Sequence, residues 1–221
     1  MSLLDKIAIL RGTDKSSEVH NYCIKYEKYL PFKRTDKICL LEIGVQGGNS
    51  LRMWKDYFFQ SNIIGIDIND TCKAHEEERI FIEIGSQVDI NFLKQIGNKY
   101  GMFDIILDDG SHINKDVICS FENLYKFVKP GGVYVIEDTC TSYWKDYGGG
   151  YNETMVEYFK NLIEDVNLKA QVNYDYYNAN ARREDKMIPF LLKHNIDCIT
   201  DIESINFLNG IIIITKTNGS L

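Results

Sequence analysis

The 221-residue chain is notable first for what it lacks. Its six cysteines, Cys23, Cys39, Cys72, Cys119, Cys140 and Cys198, form no CxxC pair, which argues against a zinc site. Scattered thiols suit a reducing compartment, so a cytoplasmic protein is expected. Positive charge is not in excess: 25 Lys and Arg face 32 Asp and Glu, for a net charge of −7. That balance, with no basic run, argues against a nucleic-acid partner. The apolar run Ile211–Ile214 is far too short to span a bilayer, so no membrane insertion is expected. Met1-Ser2-Leu3-Leu4-Asp5-Lys6 carries no basic stretch leading into an apolar core, so no secretory signal is expected either.

What is present is a soluble composition, 44% hydrophobic and 26% charged, with two apolar runs that stop at paired acids. Ile105-Ile106-Leu107 runs into Asp108-Asp109-Gly110-Ser111-His112, and Val133-Tyr134-Val135-Ile136 runs into Glu137-Asp138-Thr139. Such runs read as buried parallel strands that deliver charge to the rim of their sheet. In open α/β folds that rim is where ligands bind.

A strand–helix alternation surrounds them. Apolar residues at helical spacing run from Leu3 to Leu10. Asp14 to Ser17 offer N-caps for a second helix through Tyr29, stopped at Pro31. Strands are expected at Lys37–Gly44, Asn62–Asp67, Ile80–Ile84, Phe103–Leu107 and Val133–Ile136. Helices are expected at Ser50–Phe59, Val88–Tyr100 and Lys115–Val128, the last closed by Lys129-Pro130-Gly131-Gly132. Beyond an aromatic and glycine-rich loop at Thr139–Tyr151, Glu153–Leu168 reads as a long helix. Tyr174–Tyr177 reads as strand or loop, and Met187–His194 is ambiguous. Ser204–Leu208 and Ile211–Lys216 form a hairpin around Asn209-Gly210. The expected fold is α/β: a Rossmann-like, doubly wound, mostly parallel seven-stranded sheet with a C-terminal antiparallel hairpin and short N-terminal helices. Residues 1–221 read as a single domain, with 1–35 as a helical extension.

The first strand ends in Glu42-Ile43-Gly44-Val45-Gln46-Gly47-Gly48-Asn49-Ser50. Gln46 breaks the dinucleotide pattern GxGxxG, and Gly48-Asn49-Ser50 lacks the lysine of a phosphate loop. A glycine loop without lysine suits a nucleoside lacking phosphates. Asp67 ends the second strand, where a carboxylate can accept hydrogen bonds from both ribose hydroxyls; Asn69 or Asp70 could substitute. Gly85-Ser86-Gln87 supplies small polar groups beside an adenine ring. Together these strand ends favour S-adenosylmethionine, with Glu42, Gly44, Gly47, Ser50, Asp67, Ser86, Gln87 and Asp108 as candidate contacts. Asp108 either faces the cofactor or supports its own turn.

Asp109, Glu137 and Asp138 are hard oxygen donors on neighbouring strand ends, a set that suits Mg²⁺. His112 follows Asp109 by three residues, close enough to share one hydroxyl, and an imidazole can take a proton at neutral pH.

Asp108-Asp109-Gly110-Ser111-His112, Pro130-Gly131-Gly132 through Glu137-Asp138, and Thr141-Ser142-Tyr143-Trp144 resemble the metal-dependent macrolide-sugar O-methyltransferases of the mycinamicin and macrocin type. Arg11-Gly12-Thr13-Asp14-Lys15 with His20, Asn21, Tyr22 and Tyr26 is similar to that family's stretch before the first strand, as are Leu41–Val45 and Gly48–Trp54. The resemblance covers the chain to about Gly150. It implies a class I methyltransferase that uses S-adenosylmethionine and Mg²⁺, with Asp109, Glu137 and Asp138 as metal ligands and His112 as general base. The implied acceptor is a sugar hydroxyl. A cell-surface glycan such as a capsular polysaccharide, or its precursor, is the expected source. A secondary-metabolite glycoside, a small non-sugar hydroxyl and a non-catalytic adenosyl-binding protein are the alternatives. The loop from Thr141 to Gly150 reads as a lid whose aromatics could stack on a sugar. The aromatic-rich N-terminal helices are candidates for contacts between subunits in a homo-oligomer.

Overall fold

The structure, a computed structural model, describes residues 1–150, 154–178 and 201–219; for residues 165 and 168–178 it describes the backbone alone. Two helices, α1 (Leu3–Arg11) and α2 (Cys23–Tyr29), precede the first strand. The alternation then runs β1 (Cys39–Ile43), α3 (Asn49–Tyr57), β2 (Asn62–Asp67), β3 (Ile80–Ile84), α4 (Ile90–Tyr100), β4 (Phe103–Asp108), α5 (Asn114–Leu124) and β5 (Val128–Glu137). Helix α6 (Met155–Asn178) and the hairpin β6 (Ile202–Leu208) and β7 (Ile211–Lys216) complete it. The seven strands lie in the order β3-β2-β1-β4-β5-β7-β6. β1 to β5 are parallel, and β7 runs antiparallel to both β5 and β6.

The pleat explains why the central strands are apolar along their whole length. Leu40, Ile63, Ile105, Val133 and Ile213 face one side, where they pack on Leu4 and Ala8 of α1, Tyr26 of α2, and Leu51 and Trp54 of α3. Their neighbours Leu41, Ile64, Ile106, Tyr134 and Ile212 face the other side, against Leu93 and Ile96 of α4, Val117 and Phe121 of α5, and Phe159 of α6. Both faces are covered, so alternation of apolar and polar residues has nowhere to appear. Helix ends follow local chemistry. Ser2 Oγ accepts from the N–H of Asp5 (3.2 Å) at the start of α1, and Gly12 closes that helix at φ 67°. Asp89 caps α4 by accepting from the N–H groups of Asn91 and Phe92 (3.0 and 3.2 Å).

Four expectations change. The second helix is confined to Cys23–Tyr29, because residues 13–20 fold as tight turns that carry Lys15 inward. The N–H groups of Tyr22 and Cys23 both close on the Lys15 carbonyl (3.0 and 3.2 Å). Helix α5 stops at Leu124, and β5 takes up the chain at Val128, running through Pro130-Gly131-Gly132 with Gly131 at φ 74°. Thr139–Tyr143 and Lys145–Tyr147 form short 3₁₀ turns rather than an open loop. Tyr174–Tyr177, read as strand or loop, continues α6. Met187–His194 and Cys198 lie outside the described residues. Tyr22 and Tyr26 are buried within the chain itself, 3% and 0% exposed, so they are not free for a subunit contact. Among the described residues no helix is long and apolar enough to cross a membrane.

Gly44 fixes how closely the β1 and β4 ends approach. It sits at φ 93°, and a Cβ there would overlap the carbonyl oxygen of Asp109. The Asp109 N–H donates to Ile43 O at 3.0 Å in the same contact. Gly44→Ala therefore combines left-handed strain with a backbone overlap, and should cost roughly 2–4 kcal/mol. Urea denaturation checks this; a change below about 0.5 kcal/mol would contradict it.

Candidate active site

The strand order reverses between β1 and β4, and a cleft of about 710 Å³ opens there at the carboxyl ends of the strands. Gly44, Gly47, Ser50, Asp67, Ser86 and Gln87 line one half. Asp109, His112 and Asp138 line the other. The turn Gly12–Lys15 supplies a further wall.

In the first half, Asp67 grips the glycine loop. Its Oδ2 accepts from the N–H groups of Val45 and Gln46 (2.8 and 3.1 Å), and its Oδ1 accepts from the N–H of Asn69 (2.8 Å). Burial raises its pKa, but these three backbone donors outweigh that effect and hold it below the usual carboxylate value. Gln87 braces the turn after β4: its Oε1 accepts from the Ser111 N–H (2.7 Å) and its Nε2 reaches Asp108 (3.3 Å).

Two further candidate contacts, Asp108 and Glu42, are buried and do not line the cleft. Asp108 is 1% exposed and accepts from Ser120 Oγ, the Gly110 N–H (3.3 Å) and the Tyr134 hydroxyl (3.4 Å). It thereby holds the turn that follows β4, the second of its two expected placements, and burial pushes its pKa up to about 6. Glu42 is fully buried; its Oε1 accepts from Ser50 Oγ (2.7 Å) and its Oε2 has no hydrogen-bond partner among the described residues. Desolvation pushes Glu42 up to about 7, against the pull of Lys15.

The acids of β4 and β5 are arranged around a lysine. Lys15 is 0% exposed, and its Nζ pairs with Asp109 Oδ2, with Glu137 Oε2 at 2.8 Å and with Glu42 Oε1 at 3.4 Å. Burial alone would lower its pKa, but the charges of Asp109, Glu137 and Glu42 hold it well above the ordinary lysine value. The second oxygen of Glu137 accepts from the Tyr26 hydroxyl. Burial, and next the charge of Asp109, raise the Glu137 carboxyl well above its usual range. Tyr22 donates to Asp138 Oδ1 (2.6 Å) and also reaches the Gly210 carbonyl (3.0 Å).

Asp109, His112 and Asp138 form the open part of this cluster. One ligand atom from each lies within 4.8 Å of the others, and their side chains are 20%, 21% and 21% exposed. His112 Nε2 stands 3.8 Å from both Asp109 Oδ1 and Asp138 Oδ2. Two carboxylates facing a solvent-open cleft fit a hard divalent cation, which completes its shell with water or ligand oxygens. Glu137, the third expected ligand, is 2% exposed and engaged by Lys15 and Tyr26, so the structure sets it beneath this triangle rather than in it. His112 and Asp138 sit at φ 57° and 51°, and Gln46 across the cleft at 47°. Left-handed backbone at three non-glycine residues of one cleft is strain held by its surroundings. The His112 carbonyl, for instance, accepts from Thr141 Oγ1 (3.2 Å).

Sequence reasoning missed Lys15 and the roles of Tyr22 and Tyr26. The available signal was electrostatic: acids gathered at the ends of neighbouring buried strands call for a buried cation, and Lys15 lies in an N-terminal stretch to which no role had been given.

This sheet order, with its cleft at the switch point, is the class I methyltransferase fold. No protein-family model matches the chain. It is 43% identical over 144 residues to the demethylmacrocin O-methyltransferase of Streptomyces fradiae, and 45% identical over 145 residues to the mycinamicin VI 2''-O-methyltransferase of Micromonospora griseorubida. Each alignment covers 62% of this chain but 36% of the relative. The MycE methyltransferase of the mycinamycin pathway, solved with Mg, SAH and mycinamycin VI, superposes with a TM-score of 0.78 at 31% identity. That match covers 97% of this chain and 54% of MycE, so the chain spans about half the length of that relative. The resemblance to macrolide-sugar O-methyltransferases thus holds in both sequence and fold. None of these relatives is named for a cell-surface glycan, and the capsular acceptor expected from the sequence gains no support from them.

Glu42 generates a pH prediction. Its folded pKa, about 7, lies above the ordinary 4.5, so the folded state holds the proton more tightly. Its contribution to stability is complete below the unfolded value and is lost as pH rises through the folded one. Glu42→Gln should therefore flatten the fall in melting temperature of the metal-free protein between about pH 5 and about pH 8. An unchanged slope would contradict the assignment.

Proposed function

We propose that the protein is an S-adenosylmethionine-dependent O-methyltransferase acting on a sugar hydroxyl of a glycosylated secondary metabolite of macrolide or related polyketide type. The observation that carries this reading is adjacency: the cleft lined by Asp67 ends at the triangle of Asp109, His112 and Asp138. The named substrates of the relatives support the glycoside acceptor over a capsular one.

Asp67, Ser86 and Gln87 would bind the nucleoside end of S-adenosylmethionine, with the Gly44–Gly47 backbone beside the rest of it. His112 would take the acceptor proton as the hydroxyl oxygen bonds to the methyl carbon and the carbon–sulfur bond breaks, leaving S-adenosylhomocysteine and a neutral ether. Mg²⁺, held by Asp109 and Asp138, would supply a Lewis acid beside the acceptor hydroxyl. Asp109 and Asp138 each lie 3.8 Å from the His112 Nε2 and would steady the positive charge it gains. Tyr143 and Trp144 are exposed on the turn whose Thr141 holds the His112 carbonyl, outside the cleft lining, and would be available to stack on the sugar of a bulky acceptor that extends beyond the cleft.

His112→Ala should lower transfer to a macrolide glycoside by about 100-fold or more. S-adenosylhomocysteine affinity, measured by calorimetry, should stay within about threefold, since His112 is assigned to the acceptor proton and not to the nucleoside. Lost cofactor binding would contradict the base assignment. Treatment with a chelator should stop turnover and added Mg²⁺ should restore it; full activity in chelator would remove the metal from the account.

A further inference from the structure

We propose that Lys15 is a positioning residue: a resident counter-ion that holds Asp109 and Glu137 in place and competes with a divalent cation for them. The proposal deepens the metal reading above and rests on it.

Three observations carry it. First, the Lys15 Nζ is the cation at the centre of the cluster, touching carboxylates from the ends of three strands: Glu42 of β1, Asp109 of β4 and Glu137 of β5. Two of these, Glu42 and Glu137, are buried and Asp109 is partly so; gathering them is costly without a compensating charge. A fully buried ammonium with no carboxylates would be equally costly, so each makes the other tolerable.

Second, the lysine is fixed from its backbone outward. Its carbonyl accepts from the N–H groups of Tyr22 and Cys23 and from Cys23 Sγ (3.2 Å). The turn around it is tied to α3 by Asn49 Nδ2 donating to Gly12 O (3.2 Å). With its backbone held in this way, Lys15 can bring its ammonium to the acids without moving the turn.

Third, the sharing of Asp109 is divided by oxygen. Oδ2 faces Lys15, while Oδ1 faces His112 and the open triangle. Glu137 is wholly on the lysine side, between Lys15 and Tyr26. A divalent ion held at the triangle would therefore lie beside a permanent positive charge and share Asp109 with it. Lys15 both shapes the seat and limits how tightly an ion is held there.

The test compares wild type, Lys15→Met and Lys15→Met/Glu137→Gln in the full chain. Mn²⁺ is the probe, read by electron paramagnetic resonance, alongside metal-free melting curves. Lys15→Met should bind Mn²⁺ about tenfold or more tightly than wild type, because a competing charge is gone and Glu137 is released. Its metal-free melting temperature should fall, and Mn²⁺ should raise it further than it raises wild type. The double variant should recover part of the metal-free loss, because it removes a buried negative charge along with the positive one. Packing alone predicts the opposite: no change in Mn²⁺ affinity, and a double variant no more stable than Lys15→Met. Either result overturns the proposal. Failure of all three proteins to bind Mn²⁺ would overturn the metal reading itself, and the competition with it. The metal-free comparison separates that failure from one confined to Lys15.

Discussion

The contact on which the rest of this structure depends is the buried ammonium of Lys15 among Glu42, Asp109 and Glu137. Parallel strands end where their chain polarity converges, and here three of them end in acids within reach of one another. Desolvation and mutual repulsion oppose that arrangement, as the raised pKa values of Glu42 and Glu137 record. One lysine, reaching in from a turn before the first strand, makes it tenable. The same turn then becomes a wall of the cleft. Electrostatic balance and cleft architecture are thus one event, achieved by one segment. Tyr22 and Tyr26 extend the stitch to Asp138 and Glu137.

Above that buried layer the chemistry is more exposed and more strained. Asp109, His112 and Asp138 reach the cleft, and two of the three sit in left-handed backbone. Strain of that kind persists only when neighbours determine it. Here the neighbours are specific: Gln87 on the Ser111 N–H, Ser111 on Asp116, Thr141 on the His112 carbonyl. The layer below supplies charge balance and rigidity, and the layer above presents groups able to bind and to move a proton.

Much of the fold was legible because its cause is local. Strands buried on both faces are continuous apolar runs, and Asn209-Gly210 marks a hairpin whatever the rest of the chain does. The acids and His112 were visible because charge directly after such a run falls at the rim of the sheet, where ligands bind. Lys15 was not visible, because its role comes from contacts 94 residues away at Asp109 and 122 away at Glu137. For the same reason the partners of Glu137 were not visible: its sequence position resembles that of Asp138, and the contacts with Tyr26 and Lys15 that set it deeper come from far along the chain. The capping residues Asp14–Ser17 and the stop at Pro31 read as the bounds of one helix through Tyr29. The pull on Lys15 wins and folds the first half into turns. Asp108 shows the limit again, since one pleat step decides whether a strand-end acid faces the cleft or the core.

The most direct test is a crystal structure with S-adenosylhomocysteine and Mn²⁺, with the metal located by its anomalous scattering. The account predicts a single strong peak between the carboxylates of Asp109 and Asp138, beside His112, with the nucleoside hydroxyls on Asp67. A peak elsewhere on the chain, or a nucleoside bound away from Asp67, would contradict it.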